Sequence, residues 1–268
     1  MLLARKLRRF KIFTNCHGSD VIPENAKQEK LQKYTRAILS LSQKIIVPSR
    51  YFQQVVAQKY AIAPDKLYVC SSGGVDTDLF HPTAQAARDE ACFTIGYVGR
   101  ISQGKGWNTL LQACALMPDK SCRLLIVGDG PEKPQMLQRI DQLGLGACVE
   151  LQGLLSQKEL VDIYNRIDVF AFPTERAGES LGLVAVEAMA CGVPVIASDF
   201  AAPADYVTDG VNGYKFEKGN ARQLADALTA FRSLPAQKRQ ALKDGALETA
   251  QNYTRSAVTQ ALKTILTE

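Results

Sequence analysis

From residue 93 onward the chain alternates two patterns with few interruptions. Short apolar, β-rich runs fall at 93–98 (FTIGYV), 123–127 (RLLIV), 148–151 (CVEL), 168–172 (DVFAF) and 193–197 (VPVIA). Helical patterns lie near 107–117, 132–143, 156–166, 181–190 and 220–232. A strand that is apolar throughout has to be covered on both faces, and a helix between successive strands makes each connection a crossover. The alternation therefore predicts a parallel sheet between two helix layers, a doubly wound α/β domain of nucleotide-binding type. Strand order is not contained in the pattern.

The front of the chain repeats this grammar in shorter form. Strand-like runs at 10–14 (FKIFT), 44–47 (KIIV) and 67–70 (LYVC) alternate with helical patterns near 26–40 and 49–60. The stretch SSGGVDTDLFHPTAQAARDE (71–90), rich in Gly, Pro and small polar residues, reads as a linker. The expected organisation is a first Rossmann-like unit at 1–72, a linker at 73–91, a second Rossmann-like domain at 92–250 and a helix at 251–268 packing back across the domains. Three strands make less than the ~100 residues of a usual compact domain. The reading is thus that the first domain is incomplete, its missing half cut away or supplied by another chain.

Bulk properties exclude several classes. No apolar run reaches the 18 or so residues of a membrane span. Seven cysteines without a C-x-x-C pair indicate neither a disulfide framework nor a zinc site, and reduced thiols fit the cytoplasm. The net charge of +5 resides in residues 1–11, MLLARKLRRFK, which carry five cations and no acid. Such a segment can lie on an anionic membrane surface at the inner face of the membrane; a solvated helix face is the other reading. No nucleic-acid partner is expected.

Two stretches could carry chemistry. In VGRISQGKGWNTLLQA (98–113) a strand ends, a glycine-rich turn presents Arg100 and Lys105, and a helix begins. Glycines allow close backbone approach, a helix start offers free N–H groups, and the two cations suit a diphosphate. The string also fits the G-x-x-x-x-G-K of a P-loop, but Gly106 stands where Ser or Thr would hold Mg²⁺. A P-loop NTPase stays a lesser alternative. In ERAGESLGLVAVEAMACGVPVIAS (175–198), Ser180 is the expected N-cap, leaving the amides of Gly182 and Leu183 for a phosphate. Glu187, among apolar neighbours, is placed to accept the vicinal hydroxyls of a sugar.

Gly99-Arg100, Lys105-Gly106, VGDGP (127–131), Glu179 with Glu187 eight residues on, EAMACGVPVIAS and GVDTDLFHP together resemble the retaining glycosyltransferases of family 4, which have the GT-B fold. The resemblance covers roughly residues 10–255 and implies two facing Rossmann-like domains with a nucleotide diphosphate sugar between them. It implies that Arg100 and Lys105 neutralise the diphosphate and that Gly99 belongs to the same turn. Glu187 would bind the ribose and Glu179 the transferred sugar, with amides at Leu181, Gly182 and Leu183 near the phosphates. Gly128 and Gly130, with Gly153, Leu154 and Leu155, would rim the base pocket. NCHGSD (15–20) resembles the strand end whose histidine, here His17, lies beside the donor sugar, with Asp20 in the same string. The family has a whole N-terminal domain, so the resemblance too implies that the first part of that domain is lacking here.

The expected activity is transfer of a hexosyl group, with retention, to a hydroxyl of a cell-envelope or lipid-linked glycan. No cofactor or metal is expected: the string DTD (76–78) reads as an interdomain turn, not as a metal site. The alternative is a non-catalytic remnant that binds the nucleotide sugar alone.

Overall fold

The computed structural model describes residues 11–71, 73–83, 92–118 and 122–268. The cationic opening expected to meet a membrane lies, except for Lys11, outside these residues. Two parallel sheets organise the chain. The first contains β1 (Phe13–Asn15), β2 (Lys44–Val47) and β3 (Leu67–Val69), in that order. Helices α1 (Ala26–Leu41) and α2 (Arg50–Tyr60) connect them. Asn25 and Ser49 cap these helices by accepting the N–H three residues on. Leu39, Phe52, Val56 and Tyr60 pack with Ile45, Val47 and Leu67 on one face of this sheet.

The second sheet has six strands: β4 (Phe93–Val98), β5 (Cys122–Val127), β6 (Val149–Gln152), β7 (Val169–Phe172), β8 (Val195–Ser198) and β9 (Gly213–Phe216). Their order is β6-β5-β4-β7-β8-β9, all parallel. Alternation along each strand sends side chains to two separate cores. Val98, Leu125, Val127, Phe170 and Phe172 meet α5 (Gln157–Arg166), α6 (Leu183–Ala190) and α9 (Ala236–Gln251). Ile95, Tyr97, Leu124, Ile126 and Ala171 meet α3 (Trp107–Leu116), α4 (Lys133–Gln142) and α8 (Ala221–Arg232) on the other face. The short α7 (Pro203–Tyr206) follows β8. The doubly wound expectation holds, and the expected strands and helices of this sheet appear within about two residues. Strand β9 is an addition that the sequence reading lacked.

The order in which strands are added reverses between β4 and β7, which are parallel neighbours in the sheet. At such a switch point the loops leaving adjacent strands diverge to opposite faces and open a crevice. The loops after β4 and β7 are the two stretches singled out in the sequence.

The last helix, α10 (Arg255–Thr267), returns to the first sheet, where Val258 and Ile265 pack with Ile46 and Cys70. Lys44 Nζ donates to the Ile265 carbonyl. The segment before β4 is fastened as well. Val75 and Tyr253 share a 2.7 Å backbone bond, and Arg255 pairs with Asp76 at 2.7 Å. Asp76 also accepts the Asp78 N–H, so the DTD string forms a local turn tied to α10. Among the described residues, no helix is long and apolar enough to cross a membrane.

Candidate active site

The loop from Gly99 to Gly106 is built by backbone bonds to its neighbour. Gly99 N–H donates to the Val127 carbonyl at 3.0 Å, and Ile101 N–H to that of Asp129 at 2.9 Å. The approach is so close that a Cβ on Gly128 would stand 1.9 Å from the Gly99 oxygen. These strand ends open a cavity of about 540 Å³ lined by Gly99, Arg100, Gly128, Gly130, Leu154 and Leu155. All six are residues expected at the site. Val98, Val127 and Leu160 give it apolar walls. Leu154 stands at its rim, 82% exposed. Gly153, the neighbour of Leu154, is exposed and is not part of the lining.

At its far end this loop presses on the loop after β7. Gly106 is left-handed (φ 71°), and a Cβ there would lie 1.7 Å from the Pro173 oxygen. The Gly104 carbonyl accepts the Glu175 N–H at 2.7 Å. The preceding side chain, Lys105, places Nζ 2.7 Å from Glu179 Oε2. Thr174, fully buried, donates to the same oxygen at 3.2 Å. Glu179 is only 8% exposed, so its charge is held by this cation and hydroxyl rather than by bulk water.

Three residues after Glu179, Gly182 opens α6. Here the expectation is corrected. Ser180 is not the N-cap: Gly182 is, in the left-handed region, with no side chain capping the helix. The position calls for glycine, since a Cβ on Gly182 would lie 2.6 Å from the Phe172 ring. The helix therefore starts at Leu183, and the amides of Gly182, Leu183 and Val184 have no acceptor among the described residues. Leu181 is buried, its carbonyl held by the Tyr206 hydroxyl at 3.0 Å. Glu187 is the fifth residue of the helix, about 6 Å along the axis from Leu183. Burial raises its carboxyl above the ordinary range, while the Tyr164 hydroxyl, donating at 3.0 Å, draws it back.

The first sheet contributes the turn after β1. His17 is exposed there, and Gly18 lies against the Gly178 carbonyl, 3.2 Å from where its Cβ would be. The His17 turn and the Glu179 loop are thus in contact. Asp20 spends its carboxylate on this turn, accepting the N–H groups of His17 and Gly18, the latter at 2.7 Å. An ion pair between Glu24 and Arg176 spans the same junction.

Sequence reasoning missed Thr174 and Tyr164, whose partners are set by tertiary packing rather than by spacing. Val98 and Val127, also missed as lining, were legible as strand ends. Among the described residues no group of His, Cys, Asp and Glu is arranged to hold a metal ion.

Residues 83–249, more than half of the chain, match the family described as Glycosyl transferases group 1. The chain belongs to that family. Among curated relatives, the D-inositol 3-phosphate glycosyltransferase of Corynebacterium urealyticum is 35% identical over 173 residues, 58% of this chain and 40% of the relative. The enzyme of that description from Saccharomonospora viridis is 30% identical over 248 residues, 86% of this chain and 57% of the relative. The chain spans about half the length of the curated relatives it matches. Among solved structures, HepE of Anabaena in complex with UDP and glucose superposes with a TM-score of 0.85 at 23% identity. That match covers 98% of this chain and 73% of HepE. Sucrose-phosphate synthase from Thermosynechococcus elongatus gives 0.83 at 25% identity, over 99% of this chain and 69% of the synthase. The architecture is GT-B, with parallel sheets in Rossmann-like units.

Proposed function

We propose that this group 1 glycosyl transferase moves a hexosyl group from a nucleotide diphosphate sugar to an acceptor hydroxyl, with retention, as in family 4. The observation that carries the reading is the Lys105–Glu179 pair at the open amino end of α6, beside the cavity lined by Arg100. The cavity takes the base between apolar walls. Glu187 receives the ribose hydroxyls, and the Leu183 and Val184 amides with Lys105 and Arg100 receive the diphosphate. Glu179 holds hydroxyls of the sugar, and His17 faces that sugar from the first sheet.

In the reaction the acceptor oxygen bonds to the anomeric carbon on the face from which the diphosphate leaves. The bond from that carbon to the phosphate oxygen breaks, and the acceptor proton passes to the departing phosphate. Negative charge grows on the diphosphate, where on this reading the two cations and the helix amides receive it. On this reading no metal ion is needed. The basic residues 1–11 and the habit of the family favour a cell-envelope or lipid-linked glycan as acceptor, met at the inner face of a membrane.

The test is transfer from radiolabelled nucleotide sugars, preceded by calorimetry with UDP, GDP and ADP. HepE was solved with UDP, which makes UDP the first probe. Binding and turnover that persist in excess EDTA support the reading. Binding without transfer to any hydroxyl acceptor would leave a nucleotide-sugar-binding domain. Binding that requires Mg²⁺ would return the P-loop alternative.

A further inference from the structure

The two carboxylates of the proposed donor site are held in different ways. Glu179 has a cation and a hydroxyl. Glu187 has a single bond, from the Tyr164 hydroxyl to Oε2, and among the described residues no cation pairs with it. Tyr164 is fully buried. Phe80 of the linker and Phe170 of β7 brace its ring edge-on, each with centroids 5.9 Å away. The next residue, Asn165, grips the same linker: Oδ1 accepts the Thr83 N–H at 2.8 Å and Nδ2 donates to the His81 carbonyl at 3.1 Å. The phenol is therefore fixed by packing, and a buried hydroxyl must find an acceptor.

We infer that Tyr164 is a positioning residue, holding Glu187 in the rotamer that presents its other oxygen to the vicinal hydroxyls of the nucleotide. The inference rests on the ribose role proposed for Glu187. A carboxylate only accepts, so with Oε2 accepting the hydrogen bond from Tyr164, Oε1 remains for the ligand. The bond also opposes the effect of burial on the Glu187 carboxyl. Among the described residues, the titratable groups facing Glu187 are Tyr164 from α5 and Cys191, the residue that follows α6. Burial and the charge of Glu187 push both upward, the thiol to about 12, so both stay neutral where Glu187 titrates.

The experiment compares wild type, Tyr164→Phe and Glu187→Gln, titrating each with UDP, GDP, ADP and inorganic pyrophosphate from acid to neutral pH. Tyr164→Phe should bind the preferred nucleoside diphosphate roughly tenfold more weakly, the scale of a charge-assisted hydrogen bond. Pyrophosphate binding should not change, and the acid limb of nucleotide binding should move to higher pH. An unchanged affinity and pH profile, or equal loss for nucleotide and pyrophosphate, overturns the inference. Should this variant fail to fold, Phe80→Leu loosens the brace and keeps the hydroxyl. It should shift the acid limb in the same direction, and no shift overturns the inference. Glu187→Gln separates the two levels. If it binds nucleotide as well as wild type, the ribose role itself fails; if it weakens binding and Tyr164→Phe does not, only the inference fails.

Discussion

Lys105 Nζ lies 2.7 Å from Glu179 Oε2, joining the loop after β4 to the loop after β7 through side chains only 16% and 10% exposed. On the proposed reading one group meets phosphate and the other sugar, and the pair then sets the spacing between the two halves of the donor site. Lys105→Ala should weaken pyrophosphate binding by about 1.5–3 kcal/mol and leave nucleoside binding unchanged, as measured by calorimetry. It also strands a buried carboxylate, with an expected stability loss of roughly 3 kcal/mol in urea unfolding. Glu179→Gln added to that background should restore part of the loss. A double-mutant cycle without coupling would mean that the pair does not hold the loops together.

The glycines at the loop junction differ sharply in what they tolerate. Gly106→Ala must adopt a left-handed backbone and put a methyl 1.7 Å from the Pro173 oxygen, so the two loops have to part. The expected cost is about 3 kcal/mol or more, on the scale of strain combined with a core clash. Gly153→Ala has nothing within 4 Å and a φ outside the left-handed range, and should change stability by about 0.5 kcal/mol or less. Chemical denaturation of both variants checks the contrast; equal losses would contradict the close approach at Gly106.

How far the sequence spoke depended on whether a feature was periodic. The buried strands and their crossover helices were legible because alternation is local. β9 (GYKF) was not, since four residues with a lysine among them look like a turn after Asn212-Gly213. Ser180 carried the right chemistry for a cap, but the backbone turns at Gly182 instead, in a left-handed conformation beside the Phe172 ring that leaves no room for a Cβ. Asp20 looked available to a ligand, and its carboxylate in fact closes its own turn. Tyr164 left no trace in the sequence, because its partner comes from another helix.

The ion pair of Glu24 and Arg176 is one side-chain link between the segment after β1 and the loop after β7, with side chains 40% and 30% exposed. Exposed pairs contribute little in water. A double-mutant cycle should give a coupling below about 1 kcal/mol that vanishes in high salt. A large, salt-insensitive coupling would mean that this junction is drier than its exposure indicates.

Glu187 should make the fold less stable than a neutral residue would. Its folded-state value is raised above the ordinary 4.5, chiefly by burial, so the native state holds on to the proton that the unfolded chain releases. Between 4.5 and the raised value the native state binds more protons, and stability must fall as pH rises through that window. Above it the penalty is constant; below 4.5 both states are protonated and it disappears. Glu187→Gln stays neutral throughout. The variant should therefore be more stable than wild type near neutral pH, and the gap should close as pH drops through about 4.5. Thermal unfolding of both proteins across this range measures the gap directly, with every other titrating group common to the two. A gap that is constant, or that widens toward acid, would show that burial does not penalise the carboxylate. A closing gap, together with loss of nucleotide binding in the same variant, would mean the chain keeps this acid at the expense of stability because the ligand requires it.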